Sequence, residues 1–194
     1  MTLDLHAMTG GFDDAPVQSA RAFRAALEAL SRPGMIVAVA GAVPPAPLSV
    51  AAGVLLLVLA DGTTPVHLAG AWDGPLVRDW ITFHCGAPLV AAAEAAEAAF
   101  AVGDWSALHP VDRFAIGQAD YPDRAATLIV EMPALVARGA RLAGPGIQTE
   151  ARLSLPEIAA FQTNRALFPL GFDTFLTCRD RLAGLPRSTR VEAA

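Results

Sequence analysis

The sequence predicts a mixed α/β fold, and three patterns carry that prediction. Residues 127–132, TLIVEM, are a continuous and largely β-branched run, as in a strand of a sheet covered on both faces. Segments 13–31 and 74–86 place apolar residues at helical spacing between helix start and stop signals. Segments 138–142 and 149–153 alternate polar and apolar residues around a Gly-Pro-Gly turn, which predicts an antiparallel pair.

The remaining elements follow in chain order. Asp13-Asp14-Ala15-Pro16 opens the first helix, with an aspartate cap and a proline in the first turn. Phe23, Leu27 and Leu30 recur along one face, and Ser31-Arg32-Pro33-Gly34 stops the helix. Met35 to Val39 is a short strand, and Val43 to Pro47 a stiff proline-rich connector. Ser49 caps an all-round apolar segment, Val50 to Leu59, which reads as a buried helix or a central strand. Val66 to Leu68 is a strand, and Gly74-Pro75 opens a helix closed by Gly86 and Pro88. Ala91 to Ala98 is helix or loop, Phe100 to Val102 a strand, and Leu155 to Leu167 a helix. Phe172 to Thr177 is a late apolar strand. No linker is long enough to divide the chain, so residues 1–194 form one domain, with 1–11 expected to be flexible.

Composition narrows the function classes. A mean hydropathy of +0.42 is high for a soluble protein, yet the longest mostly apolar stretch, Leu48 to Ala60, has only 13 residues. A spanning helix needs about 20. The opening MTLDLHAMTGGFDD has no basic region and no long apolar run, so no signal peptide and a cytoplasmic protein are expected. A net charge of −5 argues against nucleic-acid binding. Cys85 and Cys178 read as two buried thiols rather than a disulfide. All 14 basic side chains are arginine. Without lysine the chain holds neither a Schiff-base amine, and so no pyridoxal-phosphate anchor, nor the lysine of a P-loop. Arginine remains well suited to carboxylate or phosphate.

No catalytic constellation stands out, and the catalytic residues stay unassigned. His6, His67, His84 and His109 are scattered without metal-ligand spacing, so no metal site is expected. His84 and Cys85 are helix neighbours, poor geometry for a nucleophile and its base. Ala143-Gly144-Pro145-Gly146-Ile147 reads as a tight hairpin turn or as an anion-binding nest of backbone amides. Arg138 and Arg141 lie just upstream. The single tyrosine, in Asp120-Tyr121-Pro122-Asp123-Arg124, fits turn chemistry more plainly than ligand binding, and Asn164 and Arg165 fit cap and surface roles. In the closing segment DRLAGLPRSTRVE (180–192), Arg187 and Arg190 flank a Ser-Thr pair. The candidate ligand set is therefore Arg187, Arg190, Arg141, Gly144 and Gly146. The same arginines suit an acidic partner or this protein's own carboxylates equally well. Leu182, Leu185 and Val191 punctuate the segment, which predicts a packed C-terminus rather than a loose tail.

Six motifs in order resemble one family. They are FRAALEALSRPG (23–34), WITFHCGAPL (80–89), YPDRAATLIVE (121–131), AGPGI (143–147), NRALFPLGFDTFLTC (164–178) and DRLAGLPRSTRVE. Together they resemble the PhnH subunit family of the bacterial phosphonate carbon–phosphorus lyase system. Phe172 to Phe175 depart from the more aliphatic strand of that family.

The resemblance implies a three-layer α/β/α fold with a mixed sheet, similar to the pyridoxal-phosphate-dependent transferases but without their cofactor. It implies a homodimer working with companion carbon–phosphorus lyase subunits, with no nucleic-acid or membrane partner. The complex uses ATP as substrate: a phosphonate joins the ribose carbon, adenine leaves, and a ribose 1-phosphonate 5-triphosphate forms. The expected role is an accessory subunit without a complete active site of its own. The alternatives are a freestanding enzyme or binding protein for a small phosphorylated or phosphonylated ligand, and a purely structural dimeric scaffold.

Overall fold

The computed structural model describes residues 5 to 194. Helix α1 (Ala15–Ser31) leads to strand β1 (Val37–Ala38) and then to helix α2 (Val50–Leu59). Ser49 caps α2 by accepting from the Ala52 N–H at 3.1 Å, which settles that apolar segment as a helix. Strand β2 (Val66–Leu68), helix α3 (Pro75–Cys85) and strand β3 (Leu89–Val90) follow. Next come β4 (Phe100–Asp104), the short helix α4 (Trp105–Leu108), and a hairpin of β5 (Ile116–Gln118) and β6 (Tyr121–Ala125). The TLIVEM run becomes β7 (Thr127–Glu131). The alternating segments become β8 (Ala140–Ala143) and β9 (Ala151–Leu153), paired antiparallel as their pattern predicts. Helix α5 (Ile158–Ala166) precedes β10 (Asp173–Cys178), β11 (Arg181–Leu185) and β12 (Arg190–Glu192).

Seven strands form the main sheet in the order β1-β11-β10-β7-β4-β2-β3. The five from β10 to β3 run parallel to one another, and β11 is antiparallel to both of its neighbours. The mixed sheet expected from the sequence is therefore largely parallel. One row across it reads Gly184, Phe175, Ile129, Val102 and Leu68. The last four are buried in the core shared with α1, α2 and α3. The alternate residues Leu128, Val130, Leu176 and Ala183 face a second core with Phe161 of α5, Leu108 of α4 and Leu142 and Leu153 of β8 and β9. This second face is thus covered by helix and by a small sheet, β12-β8-β9, rather than by helices alone.

Two expectations need correction. Phe23 and Leu27, on the apolar stripe of α1, are 46% and 52% exposed, while Ala22, Ala26 and Ala29 are buried. The reason lies in β11. A Cβ at Gly184 would stand 2.7 Å from the backbone of Ala29 and Leu30, so the helix lies almost on the strand and only alanine fits between them. Asn164 is the second correction, since it is buried. It donates to Phe172 O at 2.8 Å and accepts from Phe172 N at 2.9 Å, which locks the end of α5 onto the entry to β10. Of the leading segment 1–11, Ala7 is buried and Thr9 O accepts from Trp80 Nε1 at 3.0 Å. Residues 1–4 of that segment lie outside the described residues.

Candidate active-site cleft

The closing segment folds as the two strands β11 and β12, with Leu182, Leu185 and Val191 buried, as the sequence predicts. Its arginines divide between two places. Arg187 is held by Asp173: its Nη2 donates to Asp173 Oδ2 at 2.6 Å, and its Nε lies 3.2 Å from both carboxylate oxygens. Its backbone N–H donates to Asp173 Oδ1 at 2.8 Å, and Nη1 to Pro122 O at 2.7 Å. Every guanidinium nitrogen thus has a protein acceptor, and the side chain is only 13% exposed. The departure noted at 172–175 contains the partner Arg187 needs.

Arg141, Arg190 and Gly144 come together instead around β8 and β12, where Arg190 pairs with Ala143 and Glu192 with Arg141. Arg141 bonds Glu192 and lies 3.9 Å from Glu150, so it too meets this protein's own carboxylates. The AGPGI loop is closed by Ile147 N donating to Gly144 O at 3.2 Å. Gly146 adopts φ 80°, and a Cβ there would overlap the Ser31 carbonyl, so the loop is packed against the end of α1. Of the alternatives the loop left open, the tight turn accounts for its geometry. His84 and Cys85 also part: His84 Nε2 lies 3.2 Å from Thr9 O, while the Cys85 thiol donates to Leu56 O at 3.6 Å. Burial pushes that thiol up to about 12, far from a reactive thiolate.

A different place gathers polar groups. In an open α/β sheet the carboxyl ends of parallel strands, beside the point where successive connections diverge, form a natural crevice. After β2 the chain rejoins the sheet at β3, and after β4 it rejoins on the other side at β7. At this edge lies a cleft of about 610 Å³ whose polar lining is Ser49, Trp72, Asp104, Glu131, Cys178 and Arg179. Each comes from the exit of a strand or, for Ser49, from the cap of α2.

Glu131 ends β7 and is 9% exposed. Its Oε1 accepts from Ser49 N at 2.7 Å, and its Oε2 lies 3.1 Å from Thr177 Oγ1. Thr177 Oγ1 is also 3.3 Å from Val130 O. A hydroxyl has one hydrogen and cannot donate to both. The shorter contact is the bond that Thr177 donates to Glu131 Oε2, so both carboxyl oxygens of Glu131 accept from this protein. Burial raises the carboxyl above its usual range, partly opposed by the bonds from Ser49 and Thr177. The Trp72 indole N–H lies close enough to counter that rise, but reaches no acceptor at hydrogen-bonding geometry. Asp104 caps α4: its Oδ1 accepts from Ala107 N and Ser106 Oγ, both at 2.8 Å, and Oδ2 takes no bond from the described residues. Arg179 is exposed in the turn from β10 to β11 with φ 56°, and its carbonyl accepts from Ala51 N at 2.8 Å. Its guanidinium makes no ion pair among the described residues.

The raised carboxyl has a signed consequence. Glu131 binds its proton more tightly in the folded than in the unfolded chain, so its contribution to stability is complete below the ordinary glutamate pKa and is lost as pH rises through its folded pKa. Glu131→Gln removes this loss. The unfolding temperature of the variant relative to wild type is expected to rise as pH increases above the ordinary glutamate pKa in a thermal-denaturation series. A difference that stays flat or falls with that increase in pH contradicts the raised carboxyl.

An open, largely parallel α/β sheet with a polar cleft at its carboxyl edge is the architecture in which open α/β proteins place their ligand crevices. Comparison with known proteins gives the particular family. The family profile described as "Bacterial phosphonate metabolism protein (PhnH)" matches residues 10–192. A curated relative from Rhizobium meliloti (strain 1021), "Alpha-D-ribose 1-methylphosphonate 5-triphosphate synthase subunit PhnH", is 37% identical over 200 aligned residues, covering 99% of each chain. The chain belongs to the PhnH family.

Sequence reasoning missed the cleft because its residues are drawn from positions 49 to 179 and share no local motif. One signal was available: Asp104, Glu131 and Cys178 each lie within two residues of the end of a predicted strand, the position where open parallel sheets place their sites.

Proposed function

We propose that this chain is an accessory subunit of the complex that activates organic phosphonates, acting with companion subunits when ATP and a phosphonate yield a ribose 1-phosphonate 5-triphosphate. The observation that carries the reading is the end-to-end similarity to a synthase subunit, 37% identity with 99% of each chain aligned. Likeness across the whole length supports a shared assembly role better than a borrowed domain would. Two features add support. The His84 ring and the Cys85 thiol are turned to separate structural contacts, with Thr9 O and Leu56 O, so this neighbouring pair does not form a nucleophile and its base. The exposed Phe23 and Leu27 on α1 suit a subunit whose surface is covered by partners, a second copy of the chain among them. A likeness to the pyridoxal-phosphate-dependent transferase fold belongs to the same proposal. So does the absence of that cofactor, since its lysine anchor has no counterpart here. Among the described residues no helix is long and apolar enough to cross a membrane.

Deleting the gene in the source bacterium tests the role. The deletion strain is expected to stop growing on methylphosphonate as the only phosphorus source, to grow normally on inorganic phosphate, and to recover when the gene is returned. Undiminished growth of the deletion strain on methylphosphonate contradicts the role.

A further inference from the structure

The main sheet ends at β1, and the free side of that strand is bare backbone. Val37 pairs with Leu182 and Ala38 with Arg181, while Val39 N donates to Asp180 O at 2.8 Å. Bonded and non-bonded pairs alternate along an antiparallel ladder, so Val37 and Val39 turn their N–H groups to β11, and Ala38 turns its N–H and C=O outward. Ala38 and Ala40 are both exposed, and neither backbone finds a partner on that side among the described residues. Native sheet edges are usually blunted by lysine, proline or a bulge, yet residues 36–40 read IVAVA. A groove of about 390 Å³ runs beside this edge, with residues 38–41 on one side and Ala22 and Ala25 of α1 on the other. Two charged residues line it, Arg21 and Asp180, and neither makes an ion pair among the described residues.

We propose that this edge docks an extended segment of a companion subunit, which adds to the seven-stranded sheet as a further strand beside β1. The incoming backbone bonds Ala38 and Ala40, and the side chains on one of its faces settle against Ala22 and Ala25. A row of backbone donors and acceptors two residues apart matches another extended backbone, whose own groups repeat with the same spacing. The segment carries an acidic side chain toward Arg21 and a basic one toward Asp180. That pattern decides against a second copy of this chain as the occupant, since its own edge, residues 36–40, offers no charged side chain to either. The surface shares no lining residue with the cleft at the carboxyl edge, and Phe23 and Leu27 lie outside it. The source of the segment rests on the subunit reading; the surface and the mode of contact do not.

Ala38→Pro separates the two sides of the strand, because proline removes only the outward N–H and edge strands accept proline at such positions. Its unfolding temperature is expected to stay within about 3 °C of wild type. Its affinity for the purified companion subunits, read by titration calorimetry, is expected to fall by about ten-fold or more. Arg21→Glu is expected to weaken binding by about five-fold, and Arg24→Glu, the same change on α1 outside the groove, to leave it unchanged. Hydrogen exchange supplies a readout that a merely structural role would not move. The amides of Ala38 and Ala40 are expected to exchange freely in the isolated chain and to slow by about ten-fold or more on assembly. A complex in which both amides stay unprotected, or to which Ala38→Pro binds like wild type, overturns the proposal and leaves the subunit role standing. Protection that appears in the isolated chain and grows with its concentration also overturns it, since a second copy then holds the edge. So does a folded wild-type chain that does not bind the companions. The subunit role itself is decided separately, by growth of the deletion strain on methylphosphonate.

Discussion

Arg187→Ala is expected to destabilise the protein by about 3 kcal/mol, the cost of breaking a largely buried and fully hydrogen-bonded ion pair. The loss is larger than for a surface pair because Asp173 keeps its charge and its backbone bond from residue 187 but loses the bidentate guanidinium. Pro122 O loses its donor as well, which loosens β6 from the closing segment. Urea denaturation checks this through a lower midpoint at unchanged slope. Asp173→Ala is expected to cost a similar amount, and the double variant clearly less than the sum of the two, because the removed groups are each other's partners. Arg190 sits on an exposed strand position without an ion pair among the described residues, and Arg190→Ala is expected to stay within about 0.5 kcal/mol of wild type. Equal effects at 187 and 190 contradict the division of these two arginines into a structural and a surface group.

Gly184→Val is expected to cost about 3 kcal/mol, the upper end of what overpacking does. The side chain would meet helix backbone, with Ala29 C, Ala29 O and Leu30 N all 2.7 Å from a Cβ at this position. No rotamer change relieves a clash with backbone, so α1 must lift from β11. The neighbouring large residue shows why the site is empty: Phe175 pairs with Gly184 across the strands and fills the same core layer. Gly86→Ala is the control. Its Cβ would meet nothing within 4 Å, so only the left-handed backbone at φ 65° counts against it, about 1 kcal/mol. Thermal denaturation of the two variants side by side is expected to separate them clearly. A Gly184→Val protein as stable as Gly86→Ala means that α1 does not lie against β11.

These two sites also mark where the sequence was legible. Elements with a complete local signal appear as read: TLIVEM as β7, the Ser49 cap before α2, the α3 start at Gly74-Pro75, and the alternating pair β8 and β9. Their forms follow from neighbours in the chain. The buried side of α1 does not, since both an alanine face and a Phe-Leu stripe have helical spacing. The choice is made by Gly184, more than 150 residues away. Asn164 has the same explanation, because its partner Phe172 lies beyond the end of its helix and nothing in the helix itself marks it as buried. The short hairpin β5–β6 was hidden because its residues read as a turn.

The site was less legible than the fold for a related reason. Two arginines near a glycine-rich loop make an attractive anion motif when read along the chain. In three dimensions Arg187 and Arg141 each find a carboxylate of this protein, Asp173 and Glu192. The one reading that anticipated this was the plainest, that the arginines serve this protein's own acids. Arg179 carries no motif at all; only the fold shows that it borders the cleft, without an ion pair among the described residues.

Reconstitution of phosphonate activation tests the central claim most directly. Purified companion subunits are supplied with ATP and methylphosphonate, with and without this chain, and the formation of the ribose 1-methylphosphonate 5-triphosphate is followed by phosphorus NMR. The account predicts product when the chain and its companions are mixed, and none from the chain alone or from the companions alone. Product from the isolated chain, or undiminished product without it, contradicts an accessory and necessary subunit.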